Sequence, residues 1–492
     1  MARSPYDAIA YPGHPFAQTH PDRLATLAIL FGLEPAPPGR CRVLELGCGD
    51  AGNLVPMALA LPDSEFAGVD LAPGAIERGR RLAGALGLRN VSLEAASIED
   101  YAPPADGFDY VIAHGVYSWV PARARDRLLA HCGTALAGGG VAYVSYNALP
   151  GGRLREALRD MLVFHTAGLE DPRERVAQGR EMLRFLLAGW PAELPFAAAM
   201  RGHVERLMES DDAMLAHDEL SADNHPVYFH EFATHAARHG LQYLAEADFF
   251  EMQTGVVPEA VSEALRGVDD LVRREQYLDF LKGRMFRQTL LCRAEARVDR
   301  RPRPKVIERL AVSSPARATG KPRDGRVAFE GPTGSTLTTD HPLVVRALEH
   351  VGERWPAAVH VRDLLAPDTP AGDRAVLCDA LLRAYGANLV QLHVRPPAIA
   401  VEPGEQPEAS PLARHQACEG AVVTNLRHAS VRIEDELGRR LVTLLDGTRD
   451  RAALAADLRA FLVASGAPIP DDLEAGLERS LLGLARLALL TD

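Results

Sequence analysis

VLELGCGDAGN, residues 43–53, is the stretch that decides the fold. A short apolar run carries the Glu45 carboxylate, and glycines follow at 47, 49 and 52. Only glycine takes positive φ freely and lets a backbone turn tightly against a ligand, so the pattern predicts a strand that bends into a helix over about 53–61. The first N–H groups of a helix lack intrahelical partners and carry the positive end of its dipole. A cofactor cradle is expected, with Cys48, Asp50 and Asn53 lining its turn.

The spacing G-x-G-x-x-G alone also suits a nicotinamide or flavin, so the neighbouring residues must discriminate. Glu45 stands where a dinucleotide fold usually carries another apolar residue. Residues 65–69 read as a second strand ending at Asp70, placed to take both hydroxyls of a ribose. Residues 90–96, 110–113 and 141–146 supply strands three to five. This series resembles, motif by motif, the class I S-adenosylmethionine-dependent methyltransferases. The resemblance implies a Rossmann-like α/β core of seven strands and S-adenosyl-L-methionine as cofactor. It implies that Glu45, Gly47, Cys48, Gly49, Asn53, Asp70 and Leu71 surround that cofactor, with Ser97 and Ile98 beside the adenine. An acid often accepts the adenine amino group in this fold; here Ser97 or Glu99 would have to serve.

Length suggests about three domains. The net charge of −12 argues against a general nucleic-acid partner, because phosphate contacts need clustered Lys and Arg. Six cysteines (41, 48, 132, 292, 378 and 418) show no metal spacing and read as reduced thiols of a cytoplasmic protein. No apolar run approaches the ~20 residues that span a bilayer, and the N-terminus shows no secretory signal.

Before the first strand, Tyr6, Tyr11, Phe16 and His20 form an aromatic arm, read either as packing or as a lid over the methionine end of the cofactor; Tyr11 and His20 are its candidate contacts. An amphipathic helix follows over 20–33. Ligands of open α/β sheets bind beyond the carboxyl ends of the strands, so His114 (through its carbonyl), Tyr117, Trp119, Tyr146 and Asn147 face the reactive methyl. Residues 151–212 read as helices walling the site, and the closing strands appear at 241–247 and 287–293, separated by a helical insertion over 258–283. From 293 to 326 the chain holds eleven Lys or Arg against four Asp or Glu, with several prolines, which reads as a solvated linker or a contact for an acidic partner. The expected division is arm and cofactor core 1–150, helical insertion 151–212, a region completing the sheet 213–300, basic linker 301–340, module 341–400, linker 401–431 and module 432–492. Both modules read as small, mostly helical and winged-helix-like, a loose duplication suited to protein contact.

An amine acceptor must arrive neutral, and lysine's ordinary pKa near ~10.4 opposes that. An aromatic channel of Tyr117, Trp119 and Tyr146 would help by desolvation, with Asn147 or a tyrosine hydroxyl holding the amine. HEFATH (230–235) is one residue too long for the zinc-protease HExxH, and its imidazoles diverge by about 140° on a helix. His235 and His239 share a face but read as structural, so no metal is expected. Strand four leads into HGVYSW rather than the Asn/Asp-Pro-Pro-aromatic signature of amino-methylating DNA enzymes.

YDAIAYPGHPFAQTHPDRLATLAILFGL, HGVYSWVP, VSYNALPG, NHPVYFHEF and HGLQYLAEADFF together resemble bacterial methyltransferases with a methyltransferase regulatory domain, among them the outer-membrane-protein lysine methyltransferases. That resemblance implies protein-lysine N-methylation by an enzyme able to form a homodimer, acting on a protein or peptide. A small-molecule or peptide O/N-methyltransferase, or a non-catalytic sensor of the cofactor, is the alternative.

Overall fold

The computed structural model describes residues 13–104, 107–191, 193–221, 223–255 and 257–492. Apolar runs, buried on both faces in the central strands and largely open to solvent at the 91–95 edge, build its central sheet. These are β1 (Arg42–Leu46), β2 (Glu65–Asp70), β3 (Val91–Ala95), β4 (Phe108–Ala113), β5 (Leu136–Asn147), β6 (Leu241–Glu246) and β7 (Phe286–Arg293). Their order is β3-β2-β1-β4-β5-β7-β6, with β7 antiparallel to both neighbours. Alternate residues of β5 enter two cores. Val141 and Tyr143 join Leu24, Val55 and Tyr110 on one face, while Val144 and Tyr146 join Leu128, Leu129 and Phe232 on the other.

The antiparallel β7 sets Phe286 opposite Asn147 at the carboxyl edge of β5. Arg287 behind it is fully buried. It makes two 2.9 Å bonds to Asp279 and reaches Glu246 at 2.5 Å and Glu275 at 3.3 Å, tying β6 and β7 to the helix Leu271–Lys282. Helices Gly152–His165, Pro172–Gly189 and Pro195–Glu209 form a separate core around Leu158, Leu183, Met200 and Val204. The second insertion divides into Glu259–Arg266 and Leu271–Lys282.

The expected basic linker 301–340 is folded. Ala311–Ser313 is the buried central strand of a three-stranded sheet, and Arg317–Arg323, Arg326–Glu330 and Thr336–Thr339 form another. Ile307, Leu310, Val312 and Phe329 turn inward and merge with the core of the main sheet, where Phe249 stacks on Tyr385 at 5.2 Å. Arginines and prolines are interspersed among these few inward apolar residues, so no clear period marked the strands. The expected linker 401–431 also differs: it holds the helix Pro411–Glu419 and the hairpin Val422–Thr424/Ser430–Arg432, packed with the helices of 436–486 into one C-terminal core.

Candidate active site

The turn after β1 bends where its glycines permit. Gly47 (φ 77°) and Gly49 (φ 56°) are left-handed, as is Ala51 (φ 61°). A Cβ on Gly47 would stand 2.4 Å from Val116 Cγ2, so that position needs glycine for space as well. The N–H groups of Gly47 and Cys48 both donate to Val69 O, holding the turn against β2. The Cys48 thiol is turned toward β2, where a Cβ on Gly68 would meet its sulfur at 2.7 Å. Asp70 accepts from Gly49 N (2.9 Å) and Ala72 N (2.8 Å), while burial raises its pKa.

Asn53 is the junction of the cradle. Its Nδ2 donates to Glu45 Oε1 (2.8 Å) and Thr19 Oγ1 (3.0 Å), and its Oδ1 accepts from Phe16 N (2.9 Å). Glu45 is 3% exposed, and burial, with Asp70 and Asp50 nearby, pushes its pKa up to about 8. The arm packs onto this turn: a Cβ on Gly52 would meet Gly13 backbone within 2.8 Å. The Phe16 ring lies 3.9 Å from His114. His20 caps the helix Pro21–Leu30, its Nδ1 accepting from Asp22 N, and burial lowers its pKa to about 4. Tyr11 lies outside the described residues.

Ala96 N donates to Asp70 O, which sets Ser97 and Ile98, the residues expected beside the adenine, just beyond Asp70. Ser97 Oγ accepts from Glu99 N, Ile98 O accepts from His131, and Glu99 pairs with Arg123. Leu71 is 64% exposed, an apolar side chain left open beside Asp70.

The acceptor-side candidates separate. His114 Nδ1 bonds Tyr143 OH (2.9 Å), and burial holds its pKa near about 4. Asn147 donates to Asn224 Oδ1 (2.8 Å) and accepts from Arg155 (3.3 Å). Trp119, half-buried, lies under the guanidinium groups of Arg155 and Arg159 at 5.3 and 5.5 Å. Tyr117 is buried with its hydroxyl on His235 Nδ1 (2.9 Å), and burial raises its pKa to about 12. Tyr146 departs from the expected channel: it is core, stacked on Phe232 at 4.1 Å with its hydroxyl on Thr289. Beside His114, Phe286 and Gln288 border a cavity of about 530 Å³ that Asp248, Glu251, Lys282 and Arg284 also line.

Three family models match the chain: "Methyltransferase domain" over residues 43–140, "Predicted methyltransferase regulatory domain" over 211–293 and "PKMT, C-terminal winged helix domain" over 405–475. The Rickettsia prowazekii protein RP028 is 33% identical over 234 residues, 47% of this chain and 94% of that protein. The chain belongs to the class I S-adenosylmethionine-dependent methyltransferases that carry a regulatory domain. RP789 of the same organism is 40% identical over 298 residues, and the match spans about half of it (54%). The structure of PKMT2 from Rickettsia typhi is similar over 98% of this chain and 100% of its own, at 25% identity and a TM-score of 0.86. Its complex with AdoHcy gives 0.85.

The cradle of this methyltransferase fits its cofactor. Glu45 Oε2 is buried without a hydrogen-bond partner among the described residues, an open position on a carboxyl that a cationic ligand group would ionise and complete. Asp70 and the open Leu71 would hold the nucleoside end. Sequence reasoning missed Thr19, Tyr143, Arg155 and Asn224. Asn224 opens the NHPVYFHEF stretch, which pointed to the family without pointing to this contact. It also missed Asp126, whose Oδ1 lies 3.1 Å from His235 Nε2 and 2.9 Å from His239 Nε2. These three donor atoms lie within 4.8 Å of one another, a group able to hold a metal ion. Both imidazoles are bonded to the Asp126 carboxylate, and His235 to Tyr117 as well. No helix among the described residues is long and apolar enough to cross a membrane.

Proposed function

We propose that this enzyme methylates a lysine side chain of a protein. The observation that carries the reading is the likeness to PKMT2, a protein-lysine methyltransferase, over the full length of both chains. The bound cofactor supplies a sulfonium methyl that an amine nitrogen takes by in-line displacement. The protein's share is alignment and exclusion of water, and alignment alone can contribute on the order of ~7 kcal/mol. Glu45 and Asp70 would hold the cofactor, fixed in turn by Asn53, Gly49 and Ala72. Trp119 and the amide of Asn147 would receive the amine. Desolvation there lowers the ammonium pKa and favours the neutral nucleophile. Arg155 and Asn224 hold the Asn147 side chain, and Ser118 Oγ accepts its backbone N–H at 2.8 Å.

Labelled-methyl transfer into a bacterial lysate, read by mass spectrometry, tests the proposal. Label on lysine residues of proteins is expected, and label confined to small metabolites refutes the lysine assignment. Asn147→Ala should lower turnover by about 10-fold or more while S-adenosylhomocysteine still binds; a wild-type protein that binds but never turns over is a sensor.

A further inference from the structure

The hairpin of the C-terminal module ends in a tight turn, Asn425–Ala429, that reaches the cofactor cradle. Asn425 Oδ1 accepts from Arg427 N and Ala429 N (both 3.0 Å), and its Nδ2 donates to Leu487 O (2.9 Å). Within this turn His428 adopts φ 57°, a left-handed conformation that costs an L side chain roughly 1 kcal/mol or more. The imidazole is 6% exposed, and its Nε2 lies 2.8 Å from Asn53 Oδ1, across 375 residues of sequence. Its neighbour Arg427 anchors the tip, with its guanidinium 4.2 Å from the Trp355 ring and donating to Pro356 O (2.8 Å).

The hydrogen bonds fix the proton. Asn53 Nδ2 faces the Glu45 carboxylate and Oδ1 faces the Phe16 N–H, so the amide has one orientation and His428 Nε2 must donate. Burial and the adjacent His20 ring, 5.3 Å away, lower its pKa and keep the imidazole neutral, with its one proton on Nε2. A chain of contacts therefore runs from the C-terminal module through Asn53 to the carboxylate whose second oxygen is left for a ligand.

We propose that His428 is a positioning residue of the cofactor cradle: the winged-helix module supplies the hydrogen bond that, through Asn53, holds Glu45 in its binding geometry. This rests on the cradle's being the cofactor site. His428 lies within the winged-helix match (405–475), outside the methyltransferase-domain match (43–140), and the contact makes cofactor affinity depend on how that module is docked.

Two polar variants of the full chain separate positioning from packing. In His428→Gln the side-chain amide nitrogen stands near the place of Nε2 and can still donate to Asn53. In His428→Asn the amide is about one bond shorter and falls short, although asparagine tolerates positive φ better than most residues. Calorimetry with S-adenosylhomocysteine should show His428→Asn weakened about 2- to 13-fold, the worth of one hydrogen bond, and His428→Gln less than about 2-fold. In an Asn53→Ala background, His428→Asn should change affinity less than 2-fold. Thermal melts of every variant identify those that fold. Equal affinity of wild type and His428→Asn overturns the proposal. So does Gln as weak as Asn, or an undiminished effect of His428→Asn in the Asn53→Ala background. A wild-type protein that does not bind S-adenosylhomocysteine overturns instead the assignment of the cradle.

Discussion

Glu45→Gln tests the cradle at the point where charge, burial and ligand binding meet. In the free protein the Glu45 carboxyl is buried, and its pKa is pushed up to about 8 from 4.5. Between those values the native chain holds a proton that the unfolded chain has released. The native state then binds more protons, so this site's contribution to stability falls as pH rises, by about 1.4 kcal/mol per unit, and levels off above pH 8. A cationic ligand group brought to Oε2 favours the carboxylate, so binding must expel the proton. At pH 7, one unit below that pKa, about nine-tenths of the free protein is protonated at Glu45, and binding should release roughly 0.9 proton. Affinity for S-adenosylhomocysteine should climb nearly tenfold from pH 6 to 7 and flatten past pH 8. A charge-assisted hydrogen bond contributes about 1.5–3 kcal/mol, of which deprotonation at pH 7 consumes about 1.4. The Glu45→Gln defect is therefore about 1- to 15-fold at pH 7 and about 10- to 150-fold at pH 8.5. Calorimetric titrations in phosphate and Tris at pH 7 read the proton directly, because the two buffers differ in ionisation heat. The wild type should give different apparent enthalpies in the two buffers, and Glu45→Gln nearly equal ones. A buffer-independent wild-type enthalpy, or a Glu45→Gln defect of the same size at pH 6.5 and 8.5, refutes a carboxyl that must ionise to bind.

Two further outcomes concern the buried Arg287 cluster and the glycine turn. Arg287→Met leaves Glu246, Glu275 and Asp279 without their shared cation and should destabilise the chain by about 3–5 kcal/mol in a denaturant melt, whereas a loss below about 1 kcal/mol would show that Arg284 and solvent suffice. Gly47→Ala combines a strained φ with a Cβ that would stand 2.4 Å from Val116 and should abolish S-adenosylhomocysteine binding; adding Val116→Ala relieves the clash but not the strain, so recovery should be partial.

The cradle was legible because its determinants are local. A run such as VLEL followed by spaced glycines specifies a strand and a sharp turn whatever surrounds it, and Asp70 closes the next strand in the same way. The closing strands and helical insertions were legible from period and composition. The face of each aromatic was not. β5 is buried on both sides, so apolar alternation carries no sign of which face meets the site, and Tyr146 went to the core while Tyr143 met His114. The 301–340 stretch looked like a linker because its arginines, lysines and prolines separate the inward apolar residues that make it part of the main core.

Sequence by itself therefore determined that a strand ends in a glycine turn behind a carboxylate, and with it the class of fold and cofactor. Tertiary structure alone decided which side chains hold that carboxylate. Asn53 is eight residues from Glu45, but Thr19 and His428 reach it from a separate arm and from the other end of the chain. A hydrogen bond across 375 residues depends on how three folded units pack, and no periodicity or local spacing carries that information.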